Sequence, residues 1–269
     1  MRITSWNIQH GELYGADKTL TFANILDGLP ARDGGGDVFA FQEVDCRLPR
    51  SGSISQPEHL ASILGGAHFG FAGGVIGTPG DGGRNVNDDE KIIVSNGDQT
   101  FSGYGNAIVS TIPVTQWLRK DLGHSPIGMP LTFGQGKDRQ TFYCRDENRV
   151  AIAAVLENGF TVINTHLSFV PGPNLVQLWN LMRWAHRVEK EFDTTCVIVG
   201  DLNLPGEIPS KLTSWDSLRT GHTFPQWKPT RQLDYFLVRD AKRVKVTQHE
   251  IAAQPFSDHL PVSIGLSKS

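Results

Sequence analysis

The sequence predicts an α/β protein in which layers of β-sheet are covered on the outside by helices. Three observations carry this expectation: eight short apolar runs of strand character spread along the 269 residues, a hairpin signal between two of them, and a few amphipathic helical segments. The hairpin makes at least part of the sheet antiparallel.

The strand-like runs fall at residues 3–8, 38–44, 106–110, 150–156, 160–164, 196–199, 233–238 and 260–266. Between the fourth and fifth, Asn158-Gly159 can supply the two positive φ angles of a type I′ turn, so 150–165 reads as a hairpin. The clearest helix spans about 175–192, where Leu178, Leu181, Ala185, Val188 and Phe192 recur at spacings of three and four and form one apolar stripe. A second starts at Ser55, spaced from Glu58 as a capping box with Pro57 in the first turn, and should stop at Gly65-Gly66. A third follows Asp17 as N-cap, with Leu20, Ala23, Ile25, Leu26 and Leu29 as its apolar positions. Residues 73–90, rich in Gly, Asp and Asn, and 122–146, rich in Gly, Pro and charge, read as long loops on the rim of a site. No repeat or low-complexity linker divides the chain, and a single domain over 1–269 is expected.

Composition narrows the function. No stretch approaches the roughly 20 apolar residues of a membrane span, and Met1 leads almost at once into a strand-like run, so the expectation is a cytoplasmic protein, taken as a monomer. Cys46, Cys144 and Cys196 are odd in number and scattered, which argues against a disulfide framework or a thiolate zinc site. A formal net charge of −3, from 25 Lys+Arg and 28 Asp+Glu, argues against non-specific coating of nucleic acid.

Polar clusters recur at the ends of the predicted strands: Trp6-Asn7, Gln42-Glu43, Gly105-Asn106, Asn164-Thr165-His166, Gly200-Asp201-Leu202-Asn203, Leu233-Asp234-Tyr235 and Ser257-Asp258-His259. Each alone has a structural explanation, as a turn cap or a backbone hydrogen-bonder. Seven together do not, because apolar strands such as VFAFQEV and CVIVGDLNL ending in carboxylates are costly to bury without a cation or donors.

These residues resemble the endonuclease/exonuclease/phosphatase superfamily. SWNIQHG is similar to its opening strand motif, FQEV to its metal-binding motif, GYGNAIVS to its central strand, INTHLS to its histidine motif, VGDLNLP to its aspartate motif, LDYFLV to the penultimate and SDHLPV to the closing one. Each is short, but they stand in the family's order over nearly the whole chain. The resemblance implies a deoxyribonuclease-like four-layer α/β/β/α sandwich with two mixed sheets and a site at one edge. It implies Glu43 as the holder of a divalent cation with Asn7 and Asp258 nearby, and oxygen donors of this kind suit Mg²⁺ or Mn²⁺ better than zinc. By the same resemblance Asp201 orients or deprotonates the attacking water and Asn203 helps fix it. His259, oriented by Asp234, stabilises the phosphorane. His166 donates to a phosphate oxygen or the leaving group, and Asn106 and Arg149 contact phosphate, Arg149 on the looser match. Gln9 departs from the pattern, since apurinic endonucleases carry aspartate there; this weakens a second metal position. The expected activity is metal-dependent hydrolysis of a phosphate ester, a phosphodiester or phosphomonoester, on a compact substrate. Its rivals are a DNA endonuclease or exonuclease of the same family, which would need nucleic acid as partner, and a non-catalytic binding module of this fold.

Overall fold

Runs such as VAIAAVL at 150–156 are apolar at every position, and the fold uses both their faces: Val150, Ile152 and Ala154 point between two sheets, while Ala151 and Ala153 lie under a helix. The structure, a computed structural model, describes residues 1–12, 37–65, 68–87, 93–95, 100–133, 139–218, 221–249 and 256–269. In chain order its elements are β1 (Arg2–Asn7), β2 (Asp37–Cys46), α1 (Gln56–Leu64), β3 (His68–Thr78), β4 (Asp81–Asn85), β5 (Ile93–Ser95), β6 (Gly103–Ser110), β7 (Val114–Gly123), β8 (Met129–Phe133), β9 (Gln140–Cys144), β10 (Arg149–Leu156) and β11 (Phe160–His166). They continue with α2 (Pro173–Phe192), β12 (Thr195–Asp201), α3 (Ile208–Leu212), β13 (Asp216–Ser217), β14 (Asp234–Val238), β15 (Val244–His249) and β16 (Val262–Lys268).

Two mixed sheets face each other. The first runs β15-β16-β1-β2-β6-β3-β4, with β5 also on β3; the second runs β13-β14-β12-β11-β10-β7. Their facing sides make the central core, including Ile3, Val38, Ile108, Ile152, Val162, Val197, Phe236 and Ile264. Helix α1 covers the outer face of the first sheet with Leu60 and Leu64 against Phe41 and Phe71, and α2 covers the second with Leu178, Leu181, Ala185 and Val188 against Cys196 and Ile198. The four-layer α/β/β/α sandwich with two mixed sheets is therefore present. Each large sheet contains one parallel pair, β1 with β2 and β11 with β12. At the carboxyl ends of those pairs stand Asn7 opposite Gln42 and His166 opposite Asp201.

Several expectations are corrected. The 150–165 hairpin forms, but only Gly159 of the Asn158-Gly159 pair has a positive φ, 79°, and its N–H bonds the Leu156 carbonyl, so the turn is not type I′. At α1, Ser55 is the N-cap residue without a side-chain capping bond, and Glu58 turns instead to Arg47 at 3.5 Å, so the capping box is absent. Gly65 ends α1 in the left-handed region as expected. Residues 73–90 and 122–146 are not simply loops, since they contain the end of β3, β4 and the β8–β9 hairpin. Gly80 and Gly82, with φ of 76° and 72°, do serve the β3–β4 reversal, but other glycines mislead because they mark close packing. A Cβ on Gly73 would meet the Phe101 ring, and one on Gly74 the Asn148 carbonyl. The helix expected after Asp17 lies outside the described residues. No helix among the described residues is long and apolar enough to cross a membrane.

One fully buried amide ties the sheets together behind the site. Asn164 Nδ2 on β11 donates to the carbonyls of Phe41 (2.8 Å) and Ala107 (2.9 Å) on the first sheet, and its Oδ1 accepts from Gln42 Nε2 (2.7 Å). Replacement by an isosteric hydrocarbon leaves those carbonyls unpaired where water cannot reach. Asn164→Leu is expected to lower unfolding free energy by about 2–4 kcal/mol in urea titrations; a loss below about 0.5 kcal/mol would remove this amide from the inter-sheet tie.

Candidate active site

Sheet geometry delivers the polar clusters to one seam. Asn7 ends β1, His166 ends β11, Asp201 ends β12, and Asp234 begins β14 directly opposite Asp201. Glu43 is not at a strand end, as the sequence suggested. It sits within β2 at a bulge between Phe41 and Val44, with φ 56°, and the bulge turns its carboxylate into the seam. Asn203 (φ 49°) and Ser257 (φ 63°) are also left-handed, so three non-glycine residues of the site hold conformations that only a well-braced scaffold sustains. Gly200 is required beside them, because a Cβ there would overlap the Thr165 carbonyl oxygen.

Asp201 stands at the centre. Its Oδ2 receives Asn7 Nδ2 at 3.2 Å and lies 3.5 Å from His166 Nε2 and 3.4 Å from His259 Nε2. Its Oδ1 accepts the Asn203 N–H at 2.9 Å. Asn7 Nδ2 also reaches Glu43 Oε1 at 2.9 Å. His259 Nδ1 bonds Asp234 Oδ2 at 2.9 Å, and Asp258 Oδ1 lies 3.9 Å from His259 Nε2. The closing segment is clipped to the first strand: Trp6 Nε1 donates to the His259 carbonyl at 3.0 Å, and the Ser257 hydroxyl donates to the Asn7 carbonyl while accepting the His259 N–H at 3.1 Å. The Phe224 ring leans on the His259 ring with centroids 4.9 Å apart.

The two imidazoles, both within 3.5 Å of Asp201, are pushed in opposite directions by their surroundings. Burial opposes charge on His259, but Asp234 and Asp201 outweigh it and push the group up to about 10. Burial, with Arg149 and His259 adding to it, holds His166 well below the ordinary histidine range. Asn203 fixes the His166 tautomer, because its amide hydrogens go to the Leu167 carbonyl and to His166 Nε2, both at 3.0 Å. Nε2 therefore accepts, and the proton sits on Nδ1. Among the carboxylates, burial and Asp258 raise Glu43 to about 7, and burial raises Asp201 to about 6 against the pull of His259. Asp258 is raised by burial as well.

Asn106 and Arg149 stand beside His166 in a small recess that includes Tyr104. Arg149 is a buried residue and not a surface charge; its guanidinium bonds Asp146 at 2.8 and 3.1 Å and lies 3.3 Å from Glu147. Asn106 donates to the Val150 carbonyl at 2.9 Å. Sequence reading missed Tyr104, Asp45, Arg50, Gln56, His10 and Glu12 near the site, because none stands at a predicted strand end. Phe224 borders the polar cluster, while Trp227 close by in sequence lies exposed.

The endonuclease/exonuclease/phosphatase family model matches residues 4–259. The chain belongs to that family. Its members hydrolyse phosphoester bonds and include phosphatases, nucleases and phosphodiesterases. Among solved structures, the fold is shared with a mannosyl-6-phosphatase of Bacteroides thetaiotaomicron (13% identity, 99% of each chain, TM-score 0.60). A functionally unknown protein of Enterococcus faecalis is similar (16%, 100% of each chain, TM-score 0.61), as is the catalytic domain of human nocturnin with bound sulfate (17%, 100% of this chain and 93% of that one, TM-score 0.58). No curated protein matches by sequence. Likeness at these identities carries the fold alone.

The donor set fits a divalent cation. Glu43, Asp258 and Asn7 offer hard oxygens, and burial together with the nearby Asp258 charge raises the Glu43 carboxyl, a repulsion that a cation between the two would relieve. Asp201, Asp234 and His259 also bring donor atoms within 4.8 Å of one another. A doubly protonated His259 has no lone pair to give, so that trio suits proton handling better than coordination.

A pH dependence follows. Glu43 is raised on folding, so the apo protein holds a proton there that the unfolded chain releases, and stability falls as pH rises toward about 7. A cation binds the deprotonated carboxylate and reverses the trend. The rise in melting temperature on adding Mg²⁺ should be larger at about pH 8 than at about pH 5.5, and Glu43→Gln should remove most of the difference. Equal increments at both pH values would exclude Glu43 from the cation site.

Proposed function

We propose that the protein is a divalent-cation-dependent hydrolase of phosphate esters, using water activated by Asp201 and an imidazolium at His259, and acting on a compact substrate. The observation that carries this reading is the arrangement around Asp201: a buried carboxylate with an open proton-accepting role, flanked at 3.4 Å by an imidazolium that Asp234 holds charged. The fold is also that of a mannosyl-6-phosphatase, and it carries a tetrahedral oxyanion, sulfate, in nocturnin.

Glu43, Asp258 and Asn7 would hold the cation, Mg²⁺ or Mn²⁺. When bound it neutralises phosphate charge and lets the anionic ester approach these carboxylates. The remaining steps belong to the chain's own groups. Asp201 takes a proton from water as the water oxygen bonds phosphorus, and Asn203, through the bond from its N–H, keeps Oδ1 fixed so that Oδ2 faces the nucleophile. His259 directs Nε2–H at the phosphoryl oxygens, whose negative charge grows as the phosphorane forms, while Asp234 keeps the ring charged and oriented. His166, neutral with its proton on Nδ1, offers that N–H as a further donor, and Arg149 and Asn106 shape the recess behind it. The ester bond to the alcohol oxygen then breaks, the leaving oxygen takes up a proton from solvent, and Asp201 returns to solvent the proton it took from the attacking water.

Substrate compactness rests on charge. Duplex tracking draws much of its affinity from neutralising several phosphates, and a chain of net charge −3 with modest basic clusters is poorly suited to that. A panel of aryl phosphodiesters, sugar phosphates, lipid head-group esters, RNA and plasmid DNA, each with Mg²⁺ and with chelator, tests both points. Turnover of small esters that chelator abolishes is expected; undiminished turnover in excess chelator would sink the cation, and plasmid nicking at moderate salt without small-ester turnover would favour a nuclease. On the best substrate found, Asp201→Asn and His259→Ala should each lower kcat by roughly 10²-fold or more with smaller changes in KM, and the double variant should be far less than additive. Near-normal kcat in either single variant would remove that residue from the chemistry.

A further inference from the structure

Beside the seam lies a cavity of about 240 Å³ bordered, among the described residues, by His10, Glu12, Arg50, Ser51, Ile54 and Gln56. None of these stands in the phosphate chemistry above. The walls come from the chain just past Asn7 and just past Glu43, so the cavity adjoins the place where a phosphate would sit. Glu12 is tied to the closing segment by the Ser257 N–H to its carbonyl (3.0 Å), and its carboxylate is near enough to Asp258 for their charges to interact; Arg50 stands in the same relation to Glu43.

The cavity is rigidly built. Asp45, fully buried, grips Arg50 through Nε at 2.8 Å and Nη2 at 2.7 Å, while its backbone N–H goes to Gln56 Oε1 at 2.8 Å. Gln56 Nε2 in turn holds the His10 carbonyl at 2.7 Å. That bond braces three successive left-handed residues, Gln9, His10 and Gly11 with φ 43°, 46° and 83°, which project the His10 ring into the wall. His10 Nδ1 is buried and has no hydrogen-bond partner. Burial, with Arg50 adding to it, lowers His10 to about 4, so its ring is neutral near pH 7.

Resting on the phosphoesterase reading, we infer that this cavity receives the alcohol part of the substrate, and that this part is a single polyhydroxylated ring, a sugar or cyclitol. The lining alternates acceptors and donors: the Glu12 carboxylate, the neutral His10 ring, the Ser51 hydroxyl and the Arg50 guanidinium, with Ile54 as one apolar wall for the ring's C–H face. An alkyl tail would desolvate these polar groups and leave the buried His10 Nδ1 without a partner. A second phosphate would meet one positive charge, Arg50, against two negative ones, Asp45 and Glu12. A quaternary ammonium would face Arg50 with no Phe, Tyr or Trp among the described lining residues to receive it. The volume lies below the roughly 300 Å³ at which pockets for drug-sized ligands begin, which fits one ring.

The test compares kcat/KM of the intact protein with Mg²⁺ on matched esters, as monoester and as methyl diester. The alcohols are ethanol, choline, a hexose at its primary hydroxyl, myo-inositol and a phosphorylated hexose. A preference of about tenfold or more for the hexose or inositol ester over the ethyl ester is expected, carried mainly by KM. Ile54→Trp, which fills the cavity from a partly exposed position, and Glu12→Gln, which removes a charged acceptor, should each reduce that preference severalfold. Hydrolysis of ethyl esters with no polyol preference, a preference for the choline or doubly phosphorylated substrate, or a polyol preference untouched by both variants would overturn the inference while leaving phosphoesterase activity standing. Absence of turnover on every ester would instead remove the reading on which it rests.

Discussion

The structure depends on one carboxylate being acceptable in the dry seam between two sheets. Asp201 is almost fully buried, and what makes its burial tolerable comes from elements far apart in sequence: the Asn7 amide from the first strand, His259 from the closing segment, and the Asn203 N–H two residues on. Removing any of these leaves the buried charge less well compensated where Coulomb forces are strong. The same interactions lock the first sheet to the second at the end where the polar groups gather, so stability and site geometry share one network. The cation that Glu43, Asp258 and Asn7 are suited to hold would complete that balance and not add a separate feature.

The parallel pairs explain why the groups meet. Each sheet is mainly antiparallel but contains one pair of parallel strands, and the carboxyl ends of both pairs point to the same edge. Asn7 and Glu43 arrive from one, His166 and Asp201 from the other, and β14, antiparallel to β12, adds Asp234 opposite Asp201. Left-handed backbone at Glu43, Asn203 and Ser257 then aims side chains that a regular strand or turn would direct elsewhere. A second polar network, Asp45 with Arg50 and Gln56, extends this rigid frame outward to the cavity wall. The segments that follow β1 and β2 thus form the cavity wall beside Asn7 and Glu43.

Much of this was legible in the sequence, for identifiable reasons. Strands buried on both faces leave continuous apolar runs, and a carboxylate or histidine at the end of such a run needs a chemical explanation; that is how Asp201, His166 and His259 came to notice. What stayed hidden depended on tertiary geometry. Nothing in FQEV announces a bulge at Glu43, since the register shift is imposed by pairing with β6. Gly73, Gly74 and Gly83 resemble loop punctuation but permit close approach in a strand, and the β8–β9 hairpin carries too much Gly, Pro and charge nearby to stand out. Arg149 gave only a loose match because its burial depends on Asp146 and Glu147, its neighbours in sequence, turning inward with it. His10 and Arg50 gave no signal, because the cavity they border exists only when the ends of β1 and β2 lie side by side.

Two histidines about equally distant from Asp201 are pushed in opposite directions: burial opposes charge on both, but Asp234 and Asp201 outweigh it at His259, while Arg149 and His259 add to it at His166. Nitrogen-15 NMR of imidazole-labelled, cation-free protein, titrated from about pH 5 to about pH 10.5 and assigned with His166→Gln and His259→Gln variants, measures it directly. The account predicts that His259 stays doubly protonated beyond about pH 8 and titrates near 10, while His166 is neutral at about pH 7 with its proton on Nδ1. A His259 signal titrating near the ordinary histidine value, or a protonated His166 at neutral pH, would contradict it.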